Sequence, residues 1–297
     1  MRRFAHASTL ILSAAALAAC GAAEDPVAVE TADGDVVVVD DVETIGADES
    51  LVAAVAPEVC DTFGPQTPRD ISSPTGVNAT AFPMAMDVSD LNLCNIHTHT
   101  NAEHKGPGFS VATEGLGEYG GYQCNMTSEL TEAELAPYDD MDFGKVKPGD
   151  TIEVHWVHTS CDVEPGVGLG ACVPEGCTDP LLRVETQVFA VVNDRSAADF
   201  LDYVDVDNAS GTYQASVLPT GTGDPVVFRG STTGPSYDAG MKCSPAKVTW
   251  SVRPQCMKLD IATLDAWAEQ GNVFEETKSH GVRPLVTDER MLSPIDN

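Results

Sequence analysis

Five of the seven histidines of this 297-residue chain lie in two short runs. The first run, residues 94–106, contains His97 and His99, and the second, residues 151–158, contains His155. Residues two apart in a β-strand project from the same face, so His97 and His99 are expected side by side. Two imidazoles on one strand and a third on another can bring three nitrogens to about 2 Å from one metal ion. The runs therefore predict a metal site built on two strands.

Strand alternation also sorts the residues of the second run. Glu153 and His155 share one face, while Trp156 and His158 share the other. His158 is therefore expected to pack beside Trp156 and not to join His155 at a metal. Three histidines leave one position of a tetrahedral zinc open, which is typical of a catalytic site and not of a closed structural site. The alternative interpretation is a polar pocket that merely contains three histidines.

The N-terminus predicts export. A short basic segment precedes the apolar stretch 10–19, and the sequence Leu-Ala-Ala-Cys-Gly around Cys20 has the form of a lipobox. The apolar stretch is too short for a transmembrane helix. The alternative is an ordinary signal peptide cut near Ala19. We expect a lipoprotein signal peptide at 1–19, the lipidated Cys20 with an acidic flexible tether at 20–50, and a folded domain at 51–297.

Eight cysteines remain once Cys20 is set aside as the lipid acceptor. An even number in an oxidising compartment predicts disulfide bonds, but eight cysteines allow 105 pairings. No Cys-x-x-Cys pair supports a zinc site made of cysteines. The loop between Cys161 and Cys177 is expected to be closed by a disulfide. The eight disulfide candidates are Cys60, Cys94, Cys124, Cys161, Cys172, Cys177, Cys243 and Cys256.

The net charge of −30 limits the partners of the chain. It excludes nucleic acid as a natural partner, because binding to phosphates requires a basic surface. It also disfavours adsorption to anionic lipid, so the lipid on Cys20 would be the only contact with a membrane. Because Gly21 and not an aspartate follows Cys20, we expect a cell-envelope lipoprotein in the outer membrane, facing the periplasm or the cell surface.

Predicted strands outnumber predicted helices along the chain. The helices are short and no βαβ alternation occurs, so the fold class is expected to be mainly β, an α+β arrangement with few short helices in a single domain. In the tether, at most one edge strand is expected, at 36–39. The predicted strands of the domain are 91–98, 151–159, 182–192, 226–229 and 247–252, and the predicted helices are 197–204, 260–270 and one that begins at the capping-box pair Thr131 and Glu134.

Both histidine runs resemble the active-site strands of α-type carbonic anhydrases, and resemble the δ class more closely. The motifs are Cys-Asn-Ile-His-Thr-His-Thr-Asn-Ala-Glu-His-Lys-Gly from Cys94 and Glu-Val-His-Trp-Val-His-Thr from Glu153. The stretches 228–235, 248–250 and 282–285 resemble further α-class segments. The resemblance implies a central, largely antiparallel twisted sheet like that of the α class. It also implies Zn²⁺ and the reversible hydration of carbon dioxide to bicarbonate and a proton through a metal-bound hydroxide.

The resemblance further implies roles for single residues. His97, His99 and His155 would be the zinc ligands, which Co²⁺ or Cd²⁺ could also use. Glu153 would hold the ligand His155, and His104 would be a structural histidine beside Glu103. The catalytic pair would be Thr233, which accepts a hydrogen bond from the zinc hydroxide, and Glu103, which accepts one from Thr233. The α pattern has one residue more before its threonine pair, so Thr232 stays an alternative to Thr233. A disulfide between Cys60 and Cys243 is also implied.

Two other functions share parts of this pattern. Metal hydrolases of the amidohydrolase type also carry a His-x-His strand, but they are (β/α)₈ barrels with more helix and more histidines than this chain has. A non-enzymatic periplasmic zinc-binding or metal-delivery lipoprotein would use the same three histidines, although no His-rich flexible run is present. No proton-shuttle histidine is assigned from the sequence, and the candidates are His104 and His280.

Overall fold

The structure is a computed structural model that describes residues 27–30, 36–39, 70–78, 83–113, 120–139, 141–232, 246–282, 289 and 292–295. The chain separates into two units, residues 1–49 and 50–297. In the first unit, strands β1 (Val27–Glu30) and β2 (Val36–Val39) pair antiparallel. The acidic segment therefore holds a two-stranded ribbon where one strand was expected, because both stretches are rich in β-branched valine. The boundaries of tether and domain stay predictions.

A seven-stranded mixed sheet forms the centre of the second unit. Its strands are β3 (Asn92–Thr100), β6 (Thr151–Thr159), β7 (Leu182–Val192), β10 (Val226–Thr232), β11 (Ala246–Val252), β12 (Met257–Asp260) and β13 (His280–Gly281). Two short pairs lie outside it, namely β4 (Phe109–Ala112) with β5 (Tyr122–Cys124) and β8 (Val206–Asp207) with β9 (Gln214–Ala215).

The order of strands in the sheet is β10-β11-β7-β6-β3-β13, with β12 also beside β7. The antiparallel pairings are β10 with β11, β7 with β6 and β6 with β3. The parallel pairings join β11 and β12 to β7, and β13 to β3. The mainly β fold class is confirmed, and the sheet is mixed: its three longest pairings are antiparallel, while β7 also receives two strands in parallel.

The described helices are α1 (Leu201–Val204) and α2 (Ile261–Glu269). Helix α2 begins after Asp260, whose side chain accepts the N–H of Ala262, and its bounds agree with the predicted helix 260–270. Helix α1 is shorter than the predicted 197–204, and short 3₁₀ turns lie at Val88–Asp90, Asn125–Glu129 and Leu169–Cys172. Among the described residues, neither α-helix has the length or the apolar content needed to cross a bilayer.

The helix predicted to begin at Thr131 does not form. Glu134 accepts the backbone N–H of Thr131 at 2.8 Å, so the expected capping box is present. The chain then makes a single turn, with the N–H of Leu135 bonded to the carbonyl of Thr131. Pro137 follows immediately, and proline disfavours helical geometry in the residue before it. The helix is therefore stopped after one turn.

The two faces of the sheet bury different clusters. We call the side to which His97, His99 and His155 project the histidine face. A core cluster that includes Val157, Val184, Val188, Trp250 and Phe228 packs on this side. The opposite side packs Ile96, Trp156 and Phe189 against Trp267 of α2. Strands β6 and β7 are buried on both sides, so packed side chains support the histidine face from both sides of the sheet.

Three disulfides fasten the described part of the domain. They join Cys94 to Cys172, Cys124 to Cys256 and Cys161 to Cys177. The bond between Cys161 and Cys177 closes the loop in which it was expected. The predicted pair of Cys60 with Cys243, and the predicted lipid acceptor Cys20, lie outside the described residues.

Candidate metal centre

Three histidine rings meet on the histidine face where β3 pairs with β6. In the register of the sheet, His97 is opposite His155 and His99 is opposite Glu153. The ring centroids are 5.1 Å apart for His97 and His99, 5.0 Å for His97 and His155, and 4.6 Å for His99 and His155. One nitrogen from each ring lies within 4.8 Å of the other two. This spacing allows one metal ion to reach all three.

One nitrogen of each of these rings lies close to a side-chain oxygen atom. Asn95 Oδ1 is 2.7 Å from His97 Nδ1, and Glu153 Oε1 is 2.9 Å from His155 Nε2. Glu103 Oε2 lies 3.1 Å from His99 Nδ1. The hydrogen bonds therefore leave Nε2 of His97 and Nδ1 of His155 for a metal, whereas His99 Nδ1 is buried without a hydrogen bond and either nitrogen of His99 remains for the metal. Metal-binding histidines usually have their second nitrogen held in this way.

The surroundings also favour the neutral rings that a metal requires. Burial, followed by the neighbouring His155 and His99, lowers the pKa of His97 well below its usual value. Burial lowers the pKa of His99 to about 4, although Glu103 beside it acts in the opposite direction. Both rings are thus unprotonated at neutral pH, and the donor set fits a borderline transition metal such as Zn²⁺.

Glu153 links the ligand His155 to the rest of the site. Its Oε1 also lies 2.6 Å from His104 Nδ1, and its Oε2 accepts the backbone N–H groups of Glu103 and His104. Burial alone would raise its pKa, but His104 and His155 outweigh burial and hold the pKa below its usual value. His104, expected as a structural histidine beside Glu103, follows Glu103 in the chain and contacts the carboxylate of Glu153 with its ring, and its role stays a prediction.

His104, Glu153 and His155 form a second group close enough to be considered for a metal. Its separations of 2.6 Å and 2.9 Å are those of hydrogen bonds. Two ligands about 2.0–2.1 Å from a tetrahedral zinc are about 3.3 Å from each other. This group is therefore a hydrogen-bond network that supports the first group, and not a second metal site.

A cavity of about 400 Å³ opens onto the three rings. Its lining includes the loop residues Val167, Gly168 and Leu169 and, from the segment 274–281, Phe274, Glu275, Glu276, His280 and Gly281. Leu169 and Phe274 contribute apolar surface to the cavity, while the histidines, Glu103, Glu275 and Glu276 contribute polar surface.

His280 also reaches this cavity. Its Cα pairs with that of His99 across β13 and β3, and its ring centroid is 4.6 Å from that of His99 and 5.5 Å from that of His97. The residue is exposed, whereas His104 is fully buried. Of the two histidines considered as proton shuttles, His280 is the one in contact with solvent.

Glu276 fastens the 274–281 segment to the edge of β3. Its Oε1 accepts the backbone N–H of Thr98 at 2.9 Å and the hydroxyl of Thr98 at 3.1 Å. Asn272 holds the backbone N–H of Glu276 at 3.0 Å. Burial raises the pKa of Glu276 to about 7, although the hydrogen bonds from Thr98 act against this.

Replacing Glu276 with glutamine should reduce the pH dependence of folding. The folded-state pKa is about 7 against an ordinary value of 4.5, so folding favours the protonated carboxyl. This contribution is complete below the ordinary pKa and is lost as the pH rises through about 7, by on the order of 1–3 kcal/mol. Urea unfolding of the metal-free protein at about pH 5 and about pH 8 measures the loss. Glu276→Gln should lose less than the wild type, and equal losses would contradict the assignment.

Several predicted residues lie outside this group or outside the described residues. His158 is buried on the opposite side of β6, with Nδ1 3.2 Å from the carbonyl of Trp156. Burial lowers its pKa to about 4. Thr232 is the last residue of β10, and Thr233 lies outside the described residues, as do 283–285. The role of the threonine pair therefore stays a prediction.

Two residues of the site were not singled out from the sequence. Asn95 stands two residues before His97, and strand alternation alone could have placed it beside that ring. Glu276 is 178 positions from Thr98, and no local pattern reports such a contact. The walls of the cavity likewise come from segments distant in sequence.

Comparison with known proteins gives one family. The family model described as "Delta carbonic anhydrase" matches residues 88–263, more than half of the 297 residues. The match includes the three convergent histidines, Glu103 and Glu153. No curated protein matches the chain significantly.

Proposed function

Because this chain belongs to the delta carbonic anhydrase family, we propose that it catalyses the reversible hydration of carbon dioxide to bicarbonate and a proton. One observation carries the proposal. Nitrogens of His97, His99 and His155 lie within 4.8 Å of one another at the floor of a cavity. Three neutral nitrogen ligands would hold Zn²⁺ and leave a further position for a small oxygen ligand.

The chain supplies the positions of the ligands and the shape of the site. Zinc held by His97, His99 and His155 would supply an activated nucleophile at neutral pH. Glu153 and Asn95 fix which nitrogen of His155 and of His97 carries hydrogen. Glu103 stands beside His99. Thr233, with Thr232 as the alternative, would orient the nucleophile through its hydroxyl.

The cavity suits carbon dioxide, which is small, uncharged and apolar. Leu169 and Phe274 would offer it apolar contacts in the cavity that the histidines line. Bicarbonate, being charged and hydrated, would leave toward solvent. Co²⁺ or Cd²⁺ would fit the same nitrogen ligands.

The cellular location is also part of the proposal. Cys20 would carry the lipid that anchors the protein in the cell envelope, with the outer membrane as the expected site. The three disulfides support an oxidising compartment, since such bonds rarely persist in the cytosol.

A stopped-flow assay with a pH indicator tests the activity. The zinc-loaded protein should hydrate carbon dioxide at a rate that falls by about 10³-fold or more when a chelator strips the metal, because the nucleophile depends on the metal. Adding zinc back should restore the rate. Tight zinc binding without hydration above the buffer rate would contradict the proposal and favour a metal-delivery lipoprotein.

A further inference from the structure

The loop 161–177 is fastened to β3 beside the metal ligands. The disulfide between Cys161 and Cys177 closes the loop on itself. The disulfide between Cys94 and Cys172 ties it to β3, three residues before His97. In addition, the backbone N–H of Gly166 donates to the carbonyl of Cys94 at 3.0 Å. The middle of the loop is therefore held against the start of the histidine run.

Asn95 connects this loop to the ring of His97. Its Nδ2 donates to the carbonyl of Gly166 at 3.0 Å, and its Oδ1 lies 2.7 Å from His97 Nδ1. A backbone carbonyl can only accept, so the amide NH₂ must face Gly166 and the amide oxygen must face His97. The oxygen then accepts a hydrogen bond from Nδ1–H, which leaves the lone pair of His97 on Nε2. The position of Gly166 thus decides the tautomer of a proposed ligand.

His97 is the proposed ligand that most needs such support. His99 and His155 are 8 % and 2 % exposed, whereas His97 is half-buried. Less of its ring is confined by packing, so its orientation depends more on the hydrogen bond to Asn95. Losing a partner of this kind costs about 10–100-fold in metal affinity.

We propose that Asn95 is a positioning residue for His97, and that the Cys94–Cys172 disulfide sets the metal affinity of the site by holding Gly166 against Asn95. The inference rests on the proposed binding of zinc, but not on catalysis. Both cysteines are 0 % exposed, so the bond acts as a permanent fastening of the loop. The disulfide between Cys161 and Cys177 closes the same loop but does not tie it to β3.

Zinc affinity of the full chain, measured by competition with a chromophoric chelator, tests the role of the disulfide. The double variant Cys94→Ser/Cys172→Ser should bind zinc about 10–100-fold more weakly than the wild type. The matched control Cys161→Ser/Cys177→Ser should stay within about threefold, because Gly166 keeps its attachment to β3. Equal effects of the two double variants would overturn the inference.

Substitutions of Asn95 test whether the loop acts on His97 through this residue, and they leave the three described disulfides in place. Asn95→Leu removes both contacts and should weaken zinc binding by about 10–100-fold. Asn95→Asp cannot donate to Gly166, but both of its oxygens are acceptors, so it can accept from His97 Nδ1–H without being oriented by Gly166 and should retain most of the affinity. The visible absorption of the cobalt-loaded variants reports the ligand geometry independently of activity. Wild-type affinity and an unchanged cobalt spectrum in Asn95→Leu would overturn the inference.

A double-mutant cycle joins the two tests. In the Asn95→Leu background, removal of the Cys94–Cys172 bond should cost less than about threefold in further zinc affinity, because the route to His97 is already broken. A full and additive loss would show that the disulfide acts without Asn95 and would overturn the inference. A wild-type protein that binds no zinc would instead contradict the proposed metal site itself.

Discussion

Replacing His155 with alanine should lower zinc affinity by about 10³-fold or more, whereas replacing His158 with alanine should change it by less than about threefold. Both residues lie on β6, and both are buried, at 2 % and 1 % exposure. They project from opposite sides of the strand, and only His155 faces His97 and His99. Both variants therefore remove a buried ring at a similar cost, but only His155→Ala removes a proposed zinc ligand.

The measurement is chelator competition on folded protein, with unfolding curves recorded for both variants in the absence of zinc. Similar stability of the metal-free forms and a large difference in zinc affinity would assign His155 as a ligand. If His158→Ala lost zinc as strongly as His155→Ala, the effect would be one of folding and the ligand assignment would be wrong.

Replacing Glu153 with glutamine should also have a large effect, on zinc affinity and on stability together. The carboxylate accepts from the rings of His104 and His155 and from two backbone N–H groups. Glutamine has a single acceptor oxygen, and its NH₂ group would face donors. We expect about 10–100-fold weaker zinc binding and a loss of about 2–5 kcal/mol in the free energy of unfolding.

Glu103→Gln is the comparison for this variant. Glu103 is buried and lies beside the ligand His99, whereas the ligand His155 is held by Glu153. Its replacement should reduce the rate of hydration and leave zinc bound. Loss of zinc from Glu103→Gln with retention in Glu153→Gln would reverse the roles proposed for the two carboxylates.

Strand alternation accounts for the part of the site that could be read from the sequence. It places His97 with His99, places Glu153 with His155, and separates His158 from them. The strand at 182–192 and the helix at 260–270 were also predicted with bounds close to those observed. These features depend on residues that are near one another along the chain, where side-chain period and capping report the structure.

Contacts between distant segments could not be read in the same way. The disulfides between Cys94 and Cys172 and between Cys124 and Cys256 were two among many possible pairs. The parallel pairing of β11 with β7 joins segments 66 positions apart at Ser251 and Glu185, and no local signal specifies it. The helix predicted to begin at Thr131 does not form because Pro137 follows its first turn, and this signal is present in the local sequence. The contact of His104 with Glu153 depends on how β3 pairs with β6, and the sequence of neither strand alone specifies that register.

X-ray absorption at the zinc edge of the loaded wild-type protein tests the central claim most directly. The site described above predicts three imidazole nitrogens and one oxygen ligand at about 2.0–2.1 Å, with no sulfur near about 2.3 Å. Four imidazoles would mean that His280 closes the open position, and a sulfur ligand would mean that a cysteine replaces one of the histidines. Either result would contradict a centre in which His97, His99 and His155 hold the metal and leave one position free for the reaction.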